Sequence, residues 1–258
     1  MRWLFLVLLF SCSLVRSQSS TGVTAFFVDP VGKAYLLLTD GSLVTENPLG
    51  QNAFAFFDSS LGTPDIVDVT NPFAVVLFYA DYGTAIILDR TLSEVRRLDL
   101  FRSDRLEQPT LLARATDNGL WVFDAWDYRL KQLDQNAEVA TESNDLRLQI
   151  GLTNSPAALY VYQNQVLLLF PEQSRLATFT NFGQFRGWVE LPPAAHYGWL
   201  DGRLGGWDTS DSWVYDLRNQ KFSTLPVPVS GPLDLRLPTN GGALWYDQIG
   251  KRTVVLKN

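Results

Sequence analysis

The chain has 258 residues, with 21 Lys and Arg against 27 Asp and Glu, so its formal net charge at pH 7 is -6. This acidic balance repels phosphate backbones and anionic lipid, which excludes nucleic acid as the main partner. Apolar residues make up 46% and aromatic residues 13%, and helical periodicity is hard to find beyond the first residues. Together these properties indicate an all-β fold.

The N-terminal stretch has the pattern of a secretory signal peptide. One Arg precedes an uninterrupted apolar core, Trp3–Phe10, which is too short to span a bilayer. Val15 and Ser17 fit the small-residue positions before a cleavage site. We therefore predict a signal peptide at 1–17, a single domain at 18–258, and a periplasmic or secreted protein whose mature chain has no transmembrane span.

A lipid anchor is the alternative interpretation of the same stretch. Cys12 is the only cysteine, and Leu9–Cys12 resembles a lipoprotein processing box, although Phe10 stands where that box has a small residue. Acylation of Cys12 would tether the protein to the outer membrane. In either case the mature fold has no disulfide, and a cysteine-free exported domain of this size is typical of a bacterial envelope.

The remainder of the chain repeats one pattern of short apolar strands separated by polar turns. Its clearest copy is Asp117–Asp134, in which an Asp-Asn-Gly turn leads into a hairpin. The strands predicted for the first three repeats are Ala25–Val28, Ala34–Leu38, Leu43–Thr45, Ala53–Phe57; Ile66–Val69, Ala74–Tyr79, Ala85–Leu88, Val95–Leu100; Leu111–Ala115, Leu120–Phe123, Arg129–Leu133 and an outer strand within Glu138–Ile150. Those predicted for the last three are Ala158–Tyr162, Val166–Phe170, Leu176–Phe179, Phe185–Leu191; Tyr197–Leu200, Leu204–Trp207, Trp213–Tyr215, Phe222–Val227; Leu233–Leu237, Ala243–Tyr246 and Thr253–Leu256.

The repeat length predicts the architecture. The turn between the two middle strands recurs at Asp40, Asp81, Asp124, Pro171, Asp208 and Asp247, with a mean step of about 41 residues. Four-stranded propeller blades have this period, and six turns predict a six-bladed β-propeller. The sixth repeat ends after its third strand, so we expect the N-terminal segment, roughly Gln18–Gly22, to supply the fourth strand and close the ring.

The segments DNGLWVFD and YRLKQLD of the third repeat resemble six-bladed propellers of the NHL/YWTD kind. The resemblance covers nearly the whole mature chain. The YWTD tetrapeptide and a consistent NHL consensus are both missing, so the resemblance implies the fold and nothing more specific.

Motifs with catalytic chemistry are missing from the sequence. His196 is the sole histidine, so no multi-histidine metal site can form. There is no Gly-x-Ser-x-Gly elbow, no phosphate loop and no HExxH. We therefore expect no catalytic residue and no resident cofactor.

A ligand site is expected in the central channel, because the innermost strands of a propeller line it and their polar side chains converge there. The candidates lie on the predicted first strands or in the turns that follow them: Asp68, Arg114, Asp117, Tyr162, Trp199, Asp201 and Arg236, with Tyr160 beside Tyr162. Mutual salt bridges that plug the channel are the alternative role for the charged members.

These observations favour a non-catalytic, monomeric module of the cell envelope that presents a propeller face or its channel mouth to a protein, peptide or glycan. The first alternative is a metal-dependent lactonase or hydrolase, in which Asp68, Asp117 and Asp201 would hold a divalent cation in the channel. Gluconolactonase-type propellers use Glu, Asn and Asp on their inner strands, and no Glu occurs on the predicted inner strands here. The second alternative is a structural lipoprotein tethered through Cys12.

Overall fold

The computed structural model describes residues 22–46, 52–225, 236–239, 242–247 and 252–257. They form a succession of antiparallel sheets, which confirms the prediction of an all-β propeller with four-stranded blades. Within these residues five sheets have four strands and a sixth has three, so six complete blades are not confirmed.

Each sheet is a meander whose strands pair in chain order, which is the arrangement that short turns between consecutive strands favour. The first three blades contain β1 Val23–Val28, β2 Ala34–Leu38, β3 Leu43–Glu46, β4 Asn52–Phe56; β5 Ile66–Asp68, β6 Val75–Tyr79, β7 Thr84–Leu88, β8 Glu94–Asp99; β9 Pro109–Arg114, β10 Leu120–Asp124, β11 Arg129–Leu133 and β12 Val139–Glu142. The next two blades and the sixth sheet contain β13 Ala158–Tyr162, β14 Gln165–Phe170, β15 Arg175–Thr180, β16 Phe185–Glu190; β17 His196–Leu200, β18 Arg203–Trp207, β19 Ser212–Asp216, β20 Lys221–Thr224; β21 Arg236–Thr239, β22 Gly242–Asp247 and β23 Arg252–Lys257.

The outer strand of the third blade, β12, lies within its predicted range but occupies only part of it. The outer strand expected within Glu138–Ile150 ends at Glu142, and Leu146–Ile150 forms a short α-helix, α1. The Asp145 side chain caps this helix by accepting a hydrogen bond from the backbone N–H of Arg147. Leu146 is fully buried in the core between the third and fourth blades, so the cap and this apolar contact together favour the helix over a longer strand.

Three predictions concern residues that the structure does not describe. The signal peptide at 1–17, including Cys12, lies outside the described residues, and so do residues 18–21 of the expected closing strand. Gly22 is described, and its carbonyl accepts a hydrogen bond from the backbone N–H of Thr39 at 2.9 Å, which extends the pairing of β1 with β2.

The apolar core consists of clusters that neighbouring blades share. Trp121 and Phe123 of the third blade pack with Phe179 of the fourth, and all three side chains are at most 1% exposed. Similar clusters join the first blade to the second, the second to the third, and the fourth to the fifth. Because each buried side chain of this size contributes about 1.5–3 kcal/mol, the contacts between blades are a main source of stability.

The first blade and the sixth sheet are in contact, although they lie at opposite ends of the described chain. Leu237 and Tyr246 share an apolar cluster with Phe26 and Leu36, and the rings of Phe26 and Tyr246 lie 5.8 Å apart. The Tyr246 hydroxyl also donates a hydrogen bond to the Glu46 carboxylate at 2.7 Å. Packing between side chains therefore brings the two ends of the propeller together.

A buried ion pair supports the third blade. Lys131 Nζ lies 2.8 Å from the Asp124 carboxylate, and the two side chains are 4% and 0% exposed. The carboxylate also accepts hydrogen bonds from the backbone N–H groups of Glu107, Gln108 and Trp126. Burial alone would raise the pKa of Asp124, but the hydrogen bond from Lys131 and those from the backbone outweigh it, and its pKa lies below the ordinary 3.8.

We predict that Asp124→Asn lowers the free energy of unfolding by about 3 kcal/mol at pH 7, because it removes the buried carboxylate that pairs with Lys131 and leaves that ammonium with the partly exposed Asp127 and the Arg105 carbonyl. The pKa of Asp124 is lowered in the folded state. The stabilisation is therefore complete above the unfolded pKa near 3.8 and disappears as the pH falls through the lower folded value. Urea unfolding from pH 7 to pH 3 measures the difference between the two proteins, which should shrink at the acidic end.

Asp208→Asn is the matched control, because Asp208 lies at the equivalent turn of the fifth blade and accepts its hydrogen bonds from exposed backbone N–H groups of Ser210 and Asp211. Asp208→Asn should lower the free energy of unfolding by less than Asp124→Asn does. An equal loss in both variants, or a difference that does not depend on pH, would contradict the assigned role of the Asp124–Lys131 pair.

Candidate ligand-binding site

A cavity of about 660 Å³ lies at the centre of the propeller. Its wall is built from the first strand of every sheet, namely β1, β5, β9, β13, β17 and β21. At one end it is bordered by the turns that lead from first to second strands, with Val31, Asn71, Asn118 and Gly202 among the lining residues. No described residue of the connections between blades lines the cavity, so we place its mouth at the end that carries these turns.

Most of the predicted site residues meet in this cavity. Its lining includes Asp68, Arg114, Tyr162, Trp199, Asp201 and Arg236, together with Tyr160. Asp117 does not line the cavity. Its carboxylate accepts hydrogen bonds from the Gly119 backbone N–H at 3.1 Å and from Gln132 Nε2 at 2.8 Å, so it secures the hairpin turn of the third blade. A role in ligand binding stays a prediction for all of these residues.

Asp68 connects the second blade to the third. One carboxylate oxygen accepts hydrogen bonds from the backbone N–H and hydroxyl of Thr70, at 2.8 and 2.5 Å. The other accepts from the backbone N–H of Arg114 at 2.7 Å. The Arg114 guanidinium instead donates to Asn118 Oδ1 at 2.6 Å. Asp68 therefore contacts the backbone of Arg114, not its charged group, and the two do not plug the channel as a direct salt bridge.

An aromatic wall forms where the fourth and fifth blades meet. The rings of Tyr160 and Trp199 are stacked, with centroids 4.6 Å apart and planes inclined by 11°. Tyr162 and Trp199 form an edge-to-face pair, with ring centroids 6.4 Å apart and planes inclined by 76°. Burial raises the pKa of the Tyr160 hydroxyl above its ordinary value, so this phenol stays protonated at neutral pH.

The rim beside this wall is held by Arg218, which lies between the third and fourth strands of the fifth blade. Its guanidinium donates to the Tyr162 hydroxyl at 2.7 Å and also to the Asp201 carboxylate. Sequence reasoning missed Arg218 because nothing distinguishes it from other exposed turn residues, and only the blade geometry brings it against a first strand.

Arg236 supplies a second cation to the wall. Its side chain is buried, and the desolvation lowers its pKa below the ordinary value for arginine. The neighbouring first strand approaches closely, because a Cβ on Gly198 would come within 2.7 Å of the Arg236 carbonyl oxygen. Glycine at position 198 therefore permits the fifth and sixth sheets to meet at the channel.

The described part of the site carries no constellation suited to a metal ion. Among the described residues, no group of three or more His, Cys, Asp or Glu side chains could hold one. Asp68, Asp117 and Asp201 lie in three different blades and do not form such a group. His196 begins β17 and pairs with Trp207.

The described part of the chain also contains no helix with the length and apolar character needed to cross a membrane.

The sheets and the central channel define a β-propeller, and solved structures with the same architecture are similar to this chain. A streptogramin B lyase structure aligns with a TM-score of 0.58 at 12% identity, covering 92% of this chain and 83% of the lyase chain. A catalytically inactive virginiamycin B lyase from Staphylococcus aureus with quinupristin has a TM-score of 0.58 at 10% identity, with 93% and 86% coverage. A chain of the mitotic checkpoint complex has a TM-score of 0.58 at 8% identity, with 94% and 77% coverage.

At these identities the similarity shows the fold alone. No protein-family model matches the sequence, and no curated protein matches it either. The resemblance to propellers of the NHL/YWTD kind is thus supported as a propeller fold and not as membership of that family.

We predict that Gly202→Ala disturbs the aromatic wall. Gly202 has φ +75°, and a Cβ there would come within 2.6 Å of the Tyr162 ring. The left-handed backbone costs a residue with a side chain about 1–2 kcal/mol. Displacement of Tyr162 should lower the free energy of unfolding further. It should also change the near-ultraviolet circular dichroism that arises from the Tyr162–Trp199 contact.

Gly32→Ala provides the control, since Gly32 has φ +88° in the same turn of the first blade and a Cβ there would have nothing within 4 Å. Gly32→Ala should lower the free energy of unfolding by the cost of the left-handed backbone alone and should leave the near-ultraviolet spectrum unchanged. Equal losses and identical spectra in the two variants would show that Tyr162 does not pack on Gly202.

Proposed function

We propose that the protein is a non-catalytic binding module whose central channel takes a small polar ligand, such as the end of a glycan chain. The observation that carries this proposal is the cavity of about 660 Å³, which has its mouth at one end and combines an aromatic wall with charged side chains. Small-molecule pockets have volumes of about 300–1,000 Å³, so the channel suits a ligand of one or a few rings and not a folded protein.

The composition of the wall supports a sugar as the ligand. Aromatic rings pack well against the apolar C–H face of a sugar ring, and Trp199, supported by its stacking on Tyr160, lines the cavity. Asp68, Arg114 and Asn118 provide hydrogen-bond acceptors and donors for hydroxyl groups in the same cavity. A short peptide shares part of this chemistry, and the experiment below separates the two.

The enzyme alternative has less support. A metal-dependent lactonase or hydrolase needs a group of ligating side chains in the channel, and the described residues provide no such group. The likeness to streptogramin lyases carries no reaction to this chain, because it is a likeness of fold at 12% identity.

We also propose a six-bladed ring in an exported, monomeric protein. The contact of Tyr246 with Phe26 and Glu46 supports closure between the first blade and the sixth sheet, and the N-terminal segment would add the fourth strand to that sheet. The apolar run Trp3–Phe10 supports export to the periplasm or beyond.

Mass spectrometry of the mature protein should find an N-terminus at Gln18. An acylated Cys12 would instead establish the lipoprotein alternative.

We predict that Trp199→Ala weakens binding of an oligosaccharide from a panel of neutral and acidic sugars by at least about tenfold. The expected loss is set on the scale of a nucleobase stacked on an aromatic side chain, which contributes about 1–3 kcal/mol per ring. Isothermal titration of each sugar, with short peptides as a parallel series, measures the affinity. Preference for peptides over every sugar would contradict the glycan proposal.

Trp126→Ala is the matched control. Trp126 is 64% exposed in the turn between β10 and β11, at the opposite end of the blade from the channel mouth. It should leave affinity unchanged. Loss of binding in Trp126→Ala with retention in Trp199→Ala would place the ligand on the other face of the propeller. Circular dichroism of both variants establishes that they fold.

A further inference from the structure

The acidic groups of the channel are already engaged by the protein. The charged residues in the described lining are Asp68, Asp201, Arg114 and Arg236. Both oxygens of Asp68 accept hydrogen bonds, from Thr70 and from the Arg114 backbone N–H. Asp201 is paired with the Arg218 guanidinium. Neither carboxylate is therefore well placed to attract a cation or a donor-rich ligand.

The Arg114 guanidinium is engaged differently. Within the described residues it donates to Asn118 Oδ1, which is a neutral acceptor. A guanidinium carries several N–H donors in a planar fork, so one amide oxygen leaves donors for another acceptor. Desolvation lowers the pKa of Arg114 and the nearby Arg96 lowers it further, while the Asp68 charge opposes both. The group still stays protonated at neutral pH because an arginine pKa starts so high.

Arg236 is the second guanidinium in the described lining of the same cavity. Its buried side chain lies in the wall at the start of β21. The channel thus has two guanidinium groups beside carboxylates that are already hydrogen-bonded, although the chain as a whole has a formal net charge of -6. The formal charges of the described lining cancel, two Asp against two Arg, so an anion would meet the remaining donors of Arg114 without the net repulsion expected from the acidic chain as a whole.

We propose that the channel selects an acidic sugar, a hexuronate whose carboxylate pairs with the Arg114 guanidinium while its ring lies in the cavity that Trp199 lines. This inference rests on the proposed function, since it names the ligand class of the same site. The planar carboxylate matches the guanidinium fork, which a hydroxyl cannot do. A chain with net negative charge would reject the same sugar acid at most other positions on its surface.

The test compares two probes with the same sugar rings, digalacturonic acid and its dimethyl ester, in which methylation removes the charge of each carboxylate. Isothermal titration should show that the acid binds about ten- to a hundredfold more tightly than the ester, the range for a hydrogen-bonded charged pair. In Arg114→Gln this preference should disappear, because the acid should lose much more affinity than the ester. In Arg114→Lys, which keeps the charge without the fork, the preference should be intermediate.

Arg102→Gln is the control for charge, because Arg102 is 86% exposed in the connection between the second and third blades, away from the channel mouth. It should retain the full preference for the acid. Thermal unfolding and circular dichroism establish that each variant is folded.

Equal affinity for acid and ester, a preference that survives in Arg114→Gln, or failure of the acid to bind would each overturn the inference. The ester and the neutral sugars decide the proposed function separately. If they bind and Trp199→Ala weakens them, the channel is a glycan site without selection for charge. If no sugar depends on Trp199, the proposed function fails as well.

Discussion

The structure depends on the need of each small sheet to cover both of its faces. A four-stranded meander with apolar side chains on both sides cannot exclude water by itself. Stacking against a neighbouring blade on each side covers both apolar faces. The clusters shared by neighbouring blades, such as the one that contains Trp121 and Phe179, are the direct result. Charged groups are buried in this core where other groups compensate them. Asp124, for example, pairs with Lys131 and accepts hydrogen bonds from backbone N–H groups.

The same stacking creates the candidate site. Blades arranged around an axis bring their first strands together, so residues separated by about one repeat along the chain become neighbours in the channel wall. Asp68 and Arg114 meet in this way through a hydrogen bond of 2.7 Å. The hydrogen bonds that occupy Asp68 and Asp201 shape the electrostatics of the cavity as much as its formal charges do. A propeller fold leaves function open, and this arrangement of side chains is what supports a particular ligand.

Parts of the fold were predictable because they depend on local patterns. Period-2 alternation and turn residues placed strands such as Ala34–Leu38 and Arg129–Leu133 at their observed bounds. The helix Leu146–Ile150 was not predictable in the same way, because it depends on burial of Leu146 against the fourth blade. Asp117 was expected in the channel because it follows a first strand, but its neighbours Gly119 and Gln132 hold it in the turn. Arg218 had no local signal, since it reaches Tyr162 across 56 positions of sequence.

The sequence by itself determined the repeat, the class of fold and the strands from which the channel residues would come, because alternation and turn chemistry act over a few neighbouring residues. Only the tertiary structure decided which of those residues share the cavity, which carboxylates are already hydrogen-bonded, and where the mouth lies. These properties depend on distances between blades, which no local pattern encodes. The meeting of two guanidinium groups with two hydrogen-bonded carboxylates in one channel is therefore a property of the packed propeller and not of its composition.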